Sequence, residues 1–237
     1  MAHMHGVAGE WARVKGTVAG LWPLFLGVFA AGASASAVAL GHPRAGSIAL
    51  LASAAWSGWS LMKGLRHVER YFKGARGEER VAGILESLPE QYHVFNDFVA
   101  GGVHVDHVVA GPAGVFAVET KYWRGVVTIE EGHILLDGQL PSRSPLSQVL
   151  REASLVKAAL AKAGWQGTVT PVLAFAGDNF SAHIAELQGA VVINSCDLAR
   201  GFRTDRVVMP PAELDSFPSE EKLEPLPEEN RPKGERT

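Results

Sequence analysis

Hydrophobic and polar positions follow two different patterns along this chain. Between Lys15 and Arg44 no charge interrupts TVAGLWPLFLGVFAAGASASAVAL, a run longer than the roughly 20 apolar residues that cross a bilayer. After the turn GHPRAG, Ser47 to Met62 is again uncharged, at the lower limit of a spanning length. Two such runs joined by a Gly/Pro turn predict a two-helix transmembrane hairpin, with spans at about 17–41 and 45–62. A cleaved signal peptide has a shorter apolar region and fits less well.

Beyond Lys63 the apolar positions recur in short periods. GARGEERVAGILESLP predicts a helix of about 14 residues stopped by Pro89. At about 100° per residue, Glu78 shares a face with Val81, Ala82 and Leu85, whereas Glu79 lies with Gly83 and Glu86. QYHVFNDF, VHVDHVVAG and GVFAVETKY read as strands, and AGPAG joins the last two as a hairpin over residues 103–121. If the hairpin is symmetric about Pro112–Ala113, Ala110 pairs with Val115. Asp106 then opposes Glu119, His104 opposes Lys121, and all four project from one face.

A further short hairpin is expected from Gly125–Ile129 and His133–Leu136. SPLSQVLREASLVKAALAKAG follows as a helix. Ser144 is its N-cap, Pro145 its first residue, and Leu146, Val149, Val156 and Leu160 its apolar stripe. Gln148 lies in the first turn, on the flank of that stripe. TVTPVLAFAG and GAVVINS read as buried strands, with a short helix after Asp197. The order implies an α/β fold, a mixed β-sheet flanked by helices.

Charge then divides the 237 residues further. The chain is 47% hydrophobic with a formal net charge of −3, which excludes a strongly basic nucleic-acid coat. Arg13 and Lys15 precede the first run, and Lys63, Arg66, Arg70, Lys73 and Arg76 crowd the exit of the second. Only Arg44 lies in the turn between them. This bias places both termini in the cytoplasm, in a multi-pass protein of the cell membrane. Residues 1–16 are then an N-terminal cytosolic segment, 17–62 the hairpin and 71–211 the folded domain. The Pro- and Glu-rich tail, 212–237, reads as disordered. Cys196 is the single cysteine; it excludes an internal disulfide and reads as a buried small residue. The small residues from Gly32 to Ala37 offer close helix packing.

The charged residues of the 103–121 hairpin carry the chemistry. Two opposed carboxylates repel each other, and a divalent metal would remove the conflict. Asp106 and Glu119 offer hard oxygen ligands of the kind Mg²⁺ takes, and Lys121 can orient a water or balance charge on a phosphate. An inward Glu78 also needs a partner or a metal. The plainer alternatives are a salt-bridged strand end for Glu119 and Lys121, and a helix-dipole acid for Glu78.

GARGEERVAGILESLP, VDHVVAGPAGVFAVETKYWRG and SPLSQVLREA, taken together, resemble the nuclease-related domain, NERD, within the PD-(D/E)XK superfamily of restriction-endonuclease-like folds. The resemblance runs from about Gly74 to Ile193. It implies a catalytic site of Asp106, Glu119 and Lys121, completed by Glu78 and Gln148. The implied metal is Mg²⁺, with Mn²⁺ as a substitute, on Asp106, Glu119 and Glu78. The implied reaction is phosphodiester cleavage of nucleic acid, DNA before RNA, by a protein that also engages the lipid bilayer.

Other polar residues carry less. His107 falls on the opposite face of the hairpin and reads as packed, and His3 and His5 lie too near the terminus to count as a metal site. Tyr122, Trp123 and Arg124 are candidates for stacking on nucleic acid. Asp178 reads as a turn residue, and Arg200, Arg203 and Arg206 as a solvated face. The second function class is a non-catalytic membrane-tethered module that binds nucleic acid or protein, its acidic cluster serving structure.

Overall fold

The uncharged N-terminal run forms one long helix, α1 (Glu10–Ala39), and a second helix, α2 (Pro43–Glu86), follows after a short turn. These elements come from a computed structural model that describes residues 1–177, 179–202 and 209. Asp178, Arg203, Arg206 and the 212–237 tail lie outside the described residues. Contacts divide the chain into a helical unit, Gly9–Arg76, and a sheet unit made of Met1–Ala8 and the chain from Gly77 onward.

In the helical unit the two helices meet through glycines. A Cβ at Gly16 would stand 2.5 Å from the Tyr71 Cβ, one at Gly20 2.3 Å from a Val68 methyl, and one at Gly64 2.5 Å from the Gly20 carbonyl oxygen. Farther along, Gly27 faces Ser57, and Gly46 faces Ser34 and Val38. Gly32, in the small-residue series expected to pack, has open space around it. The large side chains turn outward instead: Phe25, Phe29, Ile48, Leu51 and Met62 are all well exposed. Among the described helices, only α1 is long and apolar enough to cross a membrane.

The expected break between the second apolar run and the helix of Glu78 is not present, because α2 runs without interruption for 44 residues. KGLRHVERYFKGAR contains no proline and mostly adequate helix formers, so its loss of hydrophobicity ends the apolar surface without ending the helix.

The sheet unit contains β1 (His3–His5), β2 (His93–Ala100), β3 (Val103–Gly111), β4 (Gly114–Lys121), β5 (Val127–Glu130), β6 (His133–Leu136), α3 (Pro145–Lys162), β7 (Val169–Phe175), β8 (Ile184–Leu187), β9 (Ala190–Asn194) and α4 (Ser195–Phe202). Seven strands form one mixed sheet in the order β1-β2-β3-β4-β7-β9-β8, and β5 and β6 form a separate ribbon. β2, β3 and β4 are antiparallel neighbours, whereas β4, β7 and β9 run parallel.

Alternation along the central strands sorts their side chains between two covering layers. Val115 and Ala117 of β4 pack with Ala153, Val156 and Leu160 of α3, and Leu173 and Phe175 of β7 pack with Leu146 and Val149 of the same helix. On the other face, Val118, Val172 and Ala174 meet Val81 and Leu85 from the end of α2 and Leu198 and Phe202 from α4. Each fully buried Val, Leu or Phe contributes about 1.5–3 kcal/mol, so the central strands are firmly held. The Ser144 hydroxyl accepts a hydrogen bond from the Ser147 N–H at 3.2 Å and fixes where α3 begins.

The N-terminal segment adds β1, which pairs parallel to β2 with His3 opposite His93. Asn96 holds it by donating to the carbonyls of His5 and Gly6 at 3.2 and 3.3 Å. Asn96 Oδ1 also lies 2.8 Å from Nδ1 of the fully buried His107, so His107 is a packed residue of the opposite face. Cys196, expected to be buried, is exposed, because it sits on the outer side of the first turn of α4.

Candidate active site

The hairpin of β3 and β4 has the expected register over its closed part. Gly111 pairs with Gly114, Ala110 with Val115 and His107 with Val118. The ladder then stops one residue short of the acidic pair. Beyond this point β3 pairs with β2 alone, so His104 lies opposite Val99 and not opposite Lys121. The β2–β3 ladder also skips Asp97, whose φ is 51°. Asp106 thus stands where the sheet opens, and its Oδ2 accepts the Thr120 backbone N–H at 2.7 Å in place of a ladder bond.

Across the fork, β4 remains paired with β7 through Lys121, which fixes Glu119 and Lys121 on the side covered by α3. Glu119 is 4% exposed. Its Oε1 accepts from the Lys121 ammonium and from Gln148 Nε2, the latter at 2.8 Å. Gln148 Oε1 accepts in turn from Lys121 Nζ at 2.9 Å. The three side chains close a ring of hydrogen bonds in which each fixes the orientation of the other two.

Glu78 enters from the end of α2. A Cβ on Gly77 would stand 2.8 Å from the Tyr122 Cβ and 3.5 Å from the Ala176 Cβ, so the glycine lets this turn lie close against the end of β4. Glu78 is near enough to act on Asp106 electrostatically. Burial, then the charges of Glu119 and Glu78, raise Asp106 well above the ordinary carboxylate range, against the opposing Thr120 N–H and Lys121. Burial pushes the Lys121 ammonium down, but Glu119 and then Asp106 and Glu152 outweigh it, and its pKa is raised overall.

One member of the cluster has no counterpart in the sequence expectations. Glu152, one turn beyond Gln148 on α3, is 1% exposed and accepts from Gln148 Nε2 at 2.8 Å through Oε1. Its Oε2 has no partner among the described residues. Burial, followed by the neighbouring Glu119, pushes it up to about 8. The available signal was its spacing. Glu152 falls three residues after Val149 and four before Val156, inside the apolar stripe, where a carboxylate has to find a partner.

The structure therefore brings Asp106, Glu119, Lys121, Gln148 and Glu78 to one end of the sheet and adds Glu152. His104 is separated from Lys121, and Trp123 is occupied by packing on Phe175 at 5.6 Å between ring centroids. Tyr122 is half-exposed beside Gly77.

The donor chemistry suits a hard divalent ion: two desolvated carboxylates repel each other, and a cation would relieve that repulsion. Among the described residues, Asp106, Glu119 and Glu78 do not bring three ligand atoms within 4.8 Å of one another. Mg²⁺ commonly takes one or two protein carboxylates and fills its shell with water and phosphate oxygens. The pair Asp106 and Glu119 meets that requirement.

These features define an α/β domain with an acid–lysine centre at the open end of a mixed sheet. The family model of the nuclease-related domain, NERD, matches residues 73–176. That stretch is similar to NERD domains, whose general affiliation is the PD-(D/E)XK superfamily. The match includes every residue of the acid–lysine centre. No curated protein and no solved structure gives a significant match to the chain.

Proposed function

We propose that the sheet unit is a metal-dependent nuclease that hydrolyses phosphodiester bonds of nucleic acid, DNA before RNA. The observation that carries this reading is the Lys121–Glu119–Gln148 ring beside Asp106 at the fork of the central sheet. Asp106 and Glu119 are the residues that would hold Mg²⁺ or Mn²⁺, with Glu78 adding negative charge beside Asp106. When bound, such an ion supplies positive charge to the scissile phosphate and makes a coordinated water more acidic.

The chain's own side chains contribute the rest. Lys121 is kept protonated by Glu119 and offers a fixed cation for charge that builds on a phosphoryl oxygen. Gln148 holds both groups in place, which saves reorganisation during reaction. Asp106 is anchored through one oxygen by the Thr120 N–H. With a net charge of −3, tight non-specific DNA binding is not expected, because that affinity arises mainly from phosphate neutralisation.

The anchoring is part of the same proposal. α1 and the apolar first part of α2 form a two-span hairpin in the cell membrane, with both termini and the nuclease unit in the cytoplasm. Supporting it are the outward apolar side chains and the basic residues flanking the spans. Lys15 lies over the Trp11 ring at 4.1 Å and Lys63 over Trp59 at 3.8 Å, pairings suited to the cytoplasmic interface where the first span would enter and the second leave.

The full chain in detergent micelles, incubated with labelled single-stranded DNA, duplex DNA and RNA, tests both activity and substrate. Cleavage should require Mg²⁺ or Mn²⁺, stop with chelator, and fall by about 10²–10³-fold or more in Lys121→Ala and Glu119→Ala. A folded protein that cleaves none of these substrates would instead favour the non-catalytic tethering module. That second reading has one observation of its own: Glu119 Oε1 is already engaged by Lys121 and Gln148.

A further inference from the structure

A second group of ligand-type side chains lies outside the NERD match, where β8, β9 and α4 meet. His183 precedes β8, and Cys196 and Asp197 lie in the first turn of α4. One ligand atom from each residue falls within 4.8 Å of the other two. His183 Nδ1 is 2.9 Å from Asp197 Oδ2, and Cys196 Sγ is 3.5 Å from the same oxygen. The sulfur–oxygen separation matches an edge of a tetrahedral shell with metal–ligand distances of about 2.0–2.3 Å, and the hydrogen-bonded nitrogen–oxygen pair would open by a few tenths of an ångström to admit an ion.

The scaffold that brings them together is independent of the three side chains. β8 and β9 form an antiparallel pair with Ile184 opposite Ile193. The Asn194 N–H donates to the His183 carbonyl at 2.8 Å, joining the entrance of β8 to the exit of β9. Asn194 Nδ2 donates to the Phe180 carbonyl at 2.6 Å and fixes the preceding loop. The buried Asn194 Oδ1 and Ser195 Oγ, directly before Cys196, have no partner among the described residues. Polar capacity therefore remains unused at this junction.

We infer that His183, Cys196 and Asp197 form a binding site for a borderline transition-metal ion of the Zn²⁺ class. The donor set is one imidazole nitrogen, one thiolate sulfur and one carboxylate oxygen, which selects against Mg²⁺ and Ca²⁺. Three protein ligands leave a fourth tetrahedral position for water. His183 is 71% exposed at its side chain, so the ion can enter from solvent.

This site is distinct from the acid–lysine centre. Lys121, Phe175 and Asn194 lie in register across β4, β7 and β9, so two strand spacings, about 10 Å, separate the backbones that carry the two groups. Paired catalytic ions are about 3.5–4 Å apart. The ion would therefore bind separately and staple the β8 edge to α4, without sharing substrate oxygens with the fork.

Co²⁺ added to the full chain in micelles provides a specific test, since Cys196 is the single cysteine and any sulfur-to-cobalt charge-transfer absorption reports on it alone. The band should appear, be displaced by Zn²⁺ but not by Mg²⁺, and vanish in Cys196→Ser. Apparent Co²⁺ affinity should fall by more than about tenfold in His183→Ala and in Asp197→Asn, with unchanged circular dichroism. The absence of a thiolate band, or a band indifferent to both of the latter substitutions, would overturn the assignment.

Discussion

The helical unit and the sheet unit treat apolar and polar groups in opposite ways. Between α1 and α2 close contacts are made at Gly16, Gly20, Gly27 and Gly46, while Phe25, Phe29 and Leu51 are exposed. In the sheet unit Val81, Leu85, Val118 and Leu173 are fully buried, and Glu119 and Glu152 are withdrawn from water with them. In the proposed membrane hairpin lipid would supply little hydrophobic drive between helices, so close backbone approach through small residues would be the source of packing. Water supplies that drive in full to the sheet unit, and its layered core can hold costly buried carboxylates in place. On the proposed function the comparison assigns anchoring to one unit and chemistry to the other, and substitutions should separate them.

The largest separation is expected from Lys121→Met. It should reduce cleavage by about 10²–10³-fold and leave membrane insertion, measured by carbonate extraction, unchanged. Gly20→Leu should do the reverse. Any side chain there meets Val68, and overpacking of about 1–3 kcal/mol should lower the thermal midpoint of the helical unit in micelles with cleavage retained. Loss of cleavage in Gly20→Leu would show that the two units do not act independently.

Glu152 gives a pH signature that belongs to the sheet unit alone. Its carboxyl is raised to about 8 by burial and Glu119, so between the ordinary value near 4.5 and about 8 the folded state holds a proton that the unfolded state has released. Stability is then lost as pH rises through this window, by up to about 1.4 kcal/mol per pH unit. Glu152→Gln, measured by chemical denaturation in chelator, should flatten that slope. The smallest effect is expected from Gly77→Ala, whose new methyl presses on Tyr122 and moves the turn carrying Glu78. A reduction in cleavage of about threefold to tenfold should appear with little change in stability.

Much of this was legible in the sequence where the signal was local. The AGPAG turn fixed the β3–β4 register down to His107 and Val118, and the Ser144–Pro145 pair fixed the start of α3. The opening of the sheet at Asp106 was not legible, because the ladder is broken by where β2 and β7 draw the two strands, a tertiary effect that the hairpin alone does not contain. His104 was misplaced opposite Lys121 for the same reason. β1 escaped notice because three residues are too few for a period, and β8 because IAEL alternates too briefly. The unbroken α2 was hidden by a composition change that ends the apolar surface and not the helix. Glu152 was readable from its place in the α3 stripe.

Mn²⁺ binding to the full chain, followed by the loss of the free-ion electron paramagnetic resonance signal, tests the acid–lysine centre most directly. Asp106→Asn is the informative variant, since an amide oxygen can still accept the Thr120 N–H while the carboxylate charge is removed. The expected result is saturable binding to the wild-type protein that is lost in Asp106→Asn and kept in Cys196→Ser. Binding that is absent from the wild-type protein, or unaltered by Asp106→Asn, would contradict a metal-dependent centre at the fork of the sheet.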